Sequence, residues 1–93
     1  MSLTFEWDEE KAQQNLVKHG VSFPEATTVF GDLLSATIPD PDHSVGEERF
    51  ITVGMSHQSR LLVVAHADRD DTIRIITARV ATRAERKSYE EGT

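Results

Sequence analysis

The stretch from Leu61 to Glu90 restricts the fold more than any other part of the chain. Arg60 to Ala67 and Thr72 to Val80 are strand-like runs rich in Leu, Ile and Val, with Asp68-Arg69-Asp70-Asp71 between them. A turn that short joins antiparallel strands, because parallel partners need a long crossover. Thr82-Arg83-Ala84-Glu85 follows with the spacing of a capping box, opening a helix that Gly92 closes.

The rest of the chain extends this pattern. Leu3 to Trp7 alternates as a short first strand. Asp8 is an N-cap for a helix running to Lys18-His19, with Glu9 and Glu10 at its positive end and Gly20 as its stop. Ser22-Phe23-Pro24-Glu25 again has capping-box spacing. Phe23, Ala26, Thr27 and Phe30 then form one helical stripe, ended by Gly31-Asp32. Leu33 to Ile38 reads as a strand and Pro39 to Gly46 as a loop. Arg49 to Met55 is the next strand, turned back by Ser56-His57-Gln58-Ser59. The order is β-α-α-β-β-β-β-α. It predicts an α+β fold in which 1–93 form one domain: a small antiparallel meander with two N-terminal helices and one C-terminal helix packed against one face.

A chain of 93 residues buries only roughly two thirds of its unfolded surface. Its core is thin, and a shallow surface site is expected over an enclosed one. The chain has no cysteine, which removes disulfides and thiolate metal sites and fits a reducing cytoplasm. No apolar run approaches a membrane span, and the start Met1-Ser2-Leu3-Thr4 lacks the pattern of a signal peptide. The net charge of −6 argues against a general nucleic-acid binder, but it is unevenly spread. Between Thr72 and Tyr89 stand Arg74, Arg79, Arg83, Arg86 and Lys87 against the single acid Glu85. An acidic body with a basic stripe can seat a phosphate backbone locally, or dock an acidic partner.

Strand alternation sorts the candidates. Arg60, Leu62, Val64 and His66 share one side. Arg74, Ile76, Ala78 and Val80 share a side opposite to Ile73, Ile75, Thr77 and Arg79. Arg74 and Arg79 should therefore face apart unless a bulge intervenes. His66, at a strand end, is either a general acid or base or a histidine bonded to a turn carboxylate. Arg69 is closest to Asp68, Asp70 and Asp71, as in a turn salt bridge. Arg83, Arg86 and Lys87 make a solvated basic face or a phosphate-binding ridge, with the Tyr89 phenol beside Arg86. Lys18 and His19 suit a helix C-terminus, and His19 also lies on the Ala12/Leu16 face as a core-edge histidine. His43 and His57 fall in loops. This scatter of histidines points away from zinc, and no Gly-rich phosphate loop is present. Neither a metal nor a cofactor is expected.

Several blocks, in order, resemble the BrnT family of bacterial toxins. They are Phe5-Glu6-Trp7-Asp8-Glu9-Glu10-Lys11-Ala12, Asn15 to Phe23, Glu25-Ala26, Val29-Phe30-Gly31-Asp32, Gly46-Glu47-Glu48-Arg49, Gly54, Ile73 to Arg79, Ala81-Thr82, Glu85-Arg86 and Tyr89-Glu90. The resemblance spans roughly Phe5 to Glu91. It implies a RelE-like ribonuclease scaffold and metal-independent RNA cleavage that inhibits translation and growth. It also implies a BrnA-type antitoxin that neutralises the toxin and supplies the DNA-binding element when the complex represses its own operon. The chain departs from the pattern at Val80, where a Lys is usual, and at Ala67-Asp68-Arg69, where Thr-Glu-Arg is common.

Metal-free RNA cleavage needs a base, an acid and a cation on the phosphate. The expected clamp is Arg74 or Arg79 with Arg83. His66 is the first choice for proton transfer, and Tyr89 or Lys18 the second group; Arg69, Arg86 and Lys87 extend the RNA surface. The competing class is a non-enzymatic module, a detuned toxin that acts with its antitoxin in operon autoregulation. A small enzyme acting on a phosphorylated metabolite has little support.

Overall fold

The computed structural model describes residues 3–92. Met1, Ser2 and Thr93, and with them part of the start read above as leaderless, lie outside the described residues. The elements are β1 (Thr4–Glu6), α1 (Glu9–His19), α2 (Phe23–Thr27), β2 (Ala36–Pro39), β3 (Arg49–Met55), β4 (Leu61–Arg69), β5 (Thr72–Val80) and α3 (Arg83–Glu91). Short 3-10 turns cover Thr28–Gly31 and Pro41–His43.

Local signals set most of these limits. The Asp8 carboxylate accepts from the Lys11 N–H, and Gly20 ends α1 in the left-handed region at φ 69°. Thr82 and Glu85 complete a reciprocal capping box at α3. At α2 only half of the expected box forms. Ser22 accepts from the Glu25 N–H, but the Glu25 carboxylate turns inward to Arg60 and Ser56. β2 starts later than the sequence predicts. The Asp32 side chain accepts from the Leu34 N–H, a local turn that diverts Leu33 and Leu34 from the ladder.

The five strands lie in the order β1-β5-β4-β3-β2. β2 to β5 form the expected antiparallel meander, and β1 joins β5 in parallel, so the sheet is mixed. The β4–β5 register changes at one point. Ala65 pairs with Thr77, but His66 pairs with Ile75. Ile76 is left without a partner, which is a β-bulge on β5. Beyond it every β5 side chain changes sides.

One face carries Leu62, Val64, Ile73, Ile75 and Ala78. It packs under Ala12 of α1, Val21, Phe23 and Ala26 of the α2 region, and Val29. Phe5, Trp7 and Phe30 border this core. Gly54 admits the Val29 turn against β3, since a Cβ there would stand 2.9 Å from the Ser35 Cβ and 3.1 Å from the Val29 carbonyl. α3 lies on the opposite face, against the expectation that all helices share one. The core face is already filled by α1 and α2, and α3 contributes no buried residue.

Asn15 joins the two layers. β1 pairs with β5 only from Thr72 to Arg74, which leaves the later part of that edge without a strand. The Asn15 amide bonds there instead. Its nitrogen donates to the Ala78 carbonyl (2.8 Å) and the Val21 carbonyl (2.9 Å), and its oxygen accepts from the Ala78 N–H (3.1 Å). Asn15 is 6% exposed, so no water replaces these bonds readily. Asn15→Ala should therefore destabilise the protein by about 2 kcal/mol or more, since buried partners are left unsatisfied. Urea unfolding checks this, and a loss below about 0.5 kcal/mol would contradict the role given to Asn15.

Candidate functional site

The bulge at Ile76 decides which side chains meet. Arg74 stands opposite Ala67, Thr77 opposite Ala65 and Arg79 opposite Val63. These β4 residues share one face, so Arg74, Thr77 and Arg79 line up together on the side away from the core. The alternation-based expectation that the two arginines face apart is corrected by this single extra residue.

Where α1 crosses the β5 edge, a hollow of about 260 Å³ opens beside Thr77 and Ile76. Lys11, Gln14, Lys18 and His19 of α1 line its other side, with Asn15 at its base. The cations belong there for a local reason, because the last turn of α1 carries Lys18 and His19 at the negative end of the helix dipole. The structure thus brings Lys18 to the arginine-bearing strand. It also brings His19, which the sequence reading placed at the core edge. Nothing in α1 alone reveals this; the signal lies in β5, whose bulge cannot be read from alternation.

Arg79 is committed to the fold. Its guanidinium holds Glu85 through two bonds of 2.8 and 2.9 Å. The Arg79 hydrogen bonds, outweighing burial, bring the Glu85 carboxyl down to about 2, and Glu85 in turn raises Arg79. Tyr89 is anchored as well. Its hydroxyl donates to Asp32 at 2.6 Å, and this bond together with burial raises its pKa. Asp32 also accepts from Met55 N–H at 2.8 Å. Burial pushes the Asp32 carboxyl up, but the bonds from Met55, Tyr89 and Leu34 hold it below the usual range. Between these two clasps α3 spans an apolar groove of about 820 Å³ floored by Ile38, Ile51 and Val53.

His66 sits elsewhere. It is 1% exposed and faces the core layer. Both ring nitrogens are engaged, Nδ1 with Asp68 at 2.6 Å and Nε2 with Thr52 at 2.7 Å. Phe30 meets the ring edge-on and Phe50 stacks on it. The structure does not bring His66 to Arg74, Arg79 or Tyr89. Arg69 lies 3.5 Å from Glu6 on β1 rather than with the turn aspartates. Arg83, Arg86 and Lys87 are exposed on α3, with Arg86 3.8 Å from Glu90. Arg74 bonds to Glu47, which also neighbours Arg49.

An ion pair with a buried acid and a half-exposed arginine, Glu25 with Arg60, went unforeseen because the acid sits in a helix-capping position. Glu25, 3% exposed, is bound by the Arg60 Nε at 3.0 Å and the Ser56 hydroxyl at 2.7 Å. Arg60 holds its carboxyl below the usual range against burial, with Ser56 assisting. Arg60 also reaches the Gly20 carbonyl, so the pair ties α1, α2 and the β3–β4 turn together. Among the described residues no group of three or more His, Cys, Asp or Glu is placed to hold a metal ion. No described helix is long and apolar enough to cross a membrane.

A small α+β sheet with cations gathered along one strand edge suits a protein that acts on a polyanion. A family model described as the ribonuclease toxin, BrnT, of type II toxin–antitoxin systems matches residues 7–85. The chain belongs to the BrnT family of ribonuclease toxins, and membership implies an antitoxin partner. The crystal structure of the Brucella abortus ribonuclease toxin BrnT superposes with a TM-score of 0.69 at 21% identity. The match covers 88% of this chain and 100% of that one, and shows a shared fold. No curated relative matches the chain.

The Glu85 clasp makes a pH-dependent prediction. Its carboxyl is lowered from 4.5 to about 2, so its stabilisation is complete above the unfolded value and drains as pH falls through that window. Glu85→Gln should cost stability at pH 7, and the gap to the wild type should narrow as the pH approaches 2. Urea midpoints measured across this range test it; a gap that stays constant would refute the clasp.

Proposed function

We propose that this chain is a metal-independent endoribonuclease that inhibits translation and growth in the cytoplasm. A BrnA-type antitoxin neutralises it and carries the complex to operator DNA. The observation that supports this reading best is the bulge at Ile76. It sets Arg74, Thr77 and Arg79 on one face, and Thr77 with Ile76 lines the hollow bordered by Lys18 and His19.

The chemistry uses the RNA's own nucleophile. The ribose 2′-hydroxyl attacks the adjacent phosphorus, and the 5′-oxygen of the next nucleotide leaves. The products are a 2′,3′-cyclic phosphate and a 5′-hydroxyl. His19 is the imidazole that lines the hollow, and it is the group given proton transfer to and from the reacting oxygens. Lys18 is the second group, and can protonate the leaving oxygen or bear the phosphate's charge. Arg74 and Arg79 flank Thr77 on the strand, and Arg83, Arg86, Lys87 and Arg69 continue the cationic surface for the flanking backbone. His66 and Tyr89 serve by position. One braces β4 against β3, and the other holds α3 to Asp32.

The second reading is a binding module without cleavage. It is favoured by the commitment of Arg79 to Glu85 and by Val80 at the position where the family pattern carries Lys.

Cleavage separates the two. The purified, antitoxin-free protein, given end-labelled RNA in excess EDTA, should yield fragments with 5′-hydroxyl ends. Lys18→Ala and His19→Ala, with folding checked by circular dichroism, should each slow cleavage by roughly a hundredfold or more. No cleavage by folded wild type would select the binding module. Wild-type rates in both variants would remove Lys18 and His19 from the mechanism. Saturating antitoxin should abolish cleavage; persistence of cleavage in the saturated complex would show that it covers a different surface.

A further inference from the structure

One cluster on the outer face is not used up by the ion pairs of the fold. Arg49 of β3 and Arg74 of β5 both stand opposite Ala67 of β4, one on each side. The small Ala67 side chain leaves the space above it to the two guanidinium groups. The Glu47 carboxylate enters this space, bonded to Arg74 and 3.6 Å from the Arg49 Nε. Two cations therefore share one anion.

The hydrogen bonding is unequal too. Among the described residues, two buried side-chain nitrogen or oxygen atoms lack a hydrogen-bond partner. They are the Nε atoms of Arg49 and Arg74. Buried donors without acceptors are unfavourable, and here both occur in one place. A phosphate carries more acceptor oxygens than a carboxylate and matches arginine forks from two sides. The side chains of Glu47, Arg49 and Arg74 are 25%, 32% and 36% exposed, so a surface ligand can reach them.

We infer that Arg49 and Arg74 form a seat for a backbone phosphate of RNA, which Glu47 fills as a phosphate mimic until RNA displaces it. The inference rests on the ribonuclease reading for its choice of ligand. The Lys18–His19 hollow lies at the bulge, beside Ile76 and Thr77, and neither Arg49 nor Arg74 lines it, so the seat holds a flanking phosphate rather than the scissile one. Binding there exchanges an internal carboxylate for an external phosphate. This lets an acidic protein keep two adjacent arginines without leaving both of them unpaired.

The test is binding of a 2′-O-methyl oligoribonucleotide, which offers no 2′-hydroxyl for cleavage, read by fluorescence anisotropy at one fixed salt concentration. Glu47→Gln should tighten binding about tenfold, the scale of a charge-assisted contact. Glu48→Gln removes the same charge at the exposed neighbour, which makes no ion pair with Arg49 or Arg74, and should change binding less than about twofold, as a fully solvated surface charge does. Adding Arg49→Ala to Glu47→Gln should erase the gain; Arg49→Lys replaces it if that protein does not fold. Equal gains from Glu47→Gln and Glu48→Gln, or none from Glu47→Gln, overturn the seat. A parallel titration with inorganic phosphate distinguishes the ligand, and a gain confined to free phosphate overturns the assignment to RNA. The oligonucleotide cannot be cleaved, so a chain that fails as a ribonuclease but shows the Glu47→Gln gain loses only the catalytic reading.

Discussion

The bonds between the Asn15 amide and the backbone of Ala78 hold the molecule's two layers in register. A strand edge without a neighbour needs partners for its N–H and C=O groups, and β1 is too short to supply them along all of β5. One side-chain amide does so just past the bulge. It thereby fixes where α1 crosses β5, and with that the distance of Lys18 and His19 from Thr77. The same nitrogen reaches Val21, so the loop into α2 is set by the same residue. A polar contact positions the cationic hollow, while the apolar core beneath it supplies burial without direction.

Polar contacts do similar work elsewhere. Glu25 with Arg60 and Ser56, and Asp32 with Tyr89 and Met55, join segments far apart in sequence, and Glu85 with Arg79 ties α3 to the end of β5. In a domain of this size the core rests largely on residues from α1, α2, β4 and β5, and the remaining elements have little apolar surface to contribute. α3 shows the limit, being held by two carboxylate clasps above a groove it does not fill. Paired and hydrogen-bonded carboxylates fix geometry and tie stability to pH, whereas larger cores achieve the same geometry through packing.

What could be read from the sequence follows from how local the cause is. Asp8, Gly20, Thr82 and Gly92 act within a few residues, and the helix ends came out as their chemistry requires. β3 and β5 match their expected limits for the same reason. The bulge is not local. Nothing in Ile75-Ile76-Thr77 marks Ile76 as the unpaired residue, and alternation carried past it assigns Arg79 and Ala78 to the wrong sides. The roles of Asn15, Asp32 and Glu25 were equally hidden, because their partners lie dozens of residues away. His19 and His66 illustrate the cost. A strand-end histidine beside acids reads either as catalytic or as bonded to a turn carboxylate, and His66 bonds Asp68 while Thr52, Phe30 and Phe50 enclose the rest of its ring. The histidine assigned to a helix end is the one beside the open hollow.

The free edge of the sheet carries a further consequence. β2 is four residues long, and all four are exposed, with Ile38 in the strand and Leu33 and Leu34 exposed just before it. An apolar edge of this kind is a template on which a second chain can add a strand. Two backbone features keep it short. The Asp32–Leu34 turn holds the preceding leucines out of the ladder, and Pro39 ends the strand with a residue that has no N–H to offer. These two stops leave a second chain only a four-residue ladder to extend along this edge.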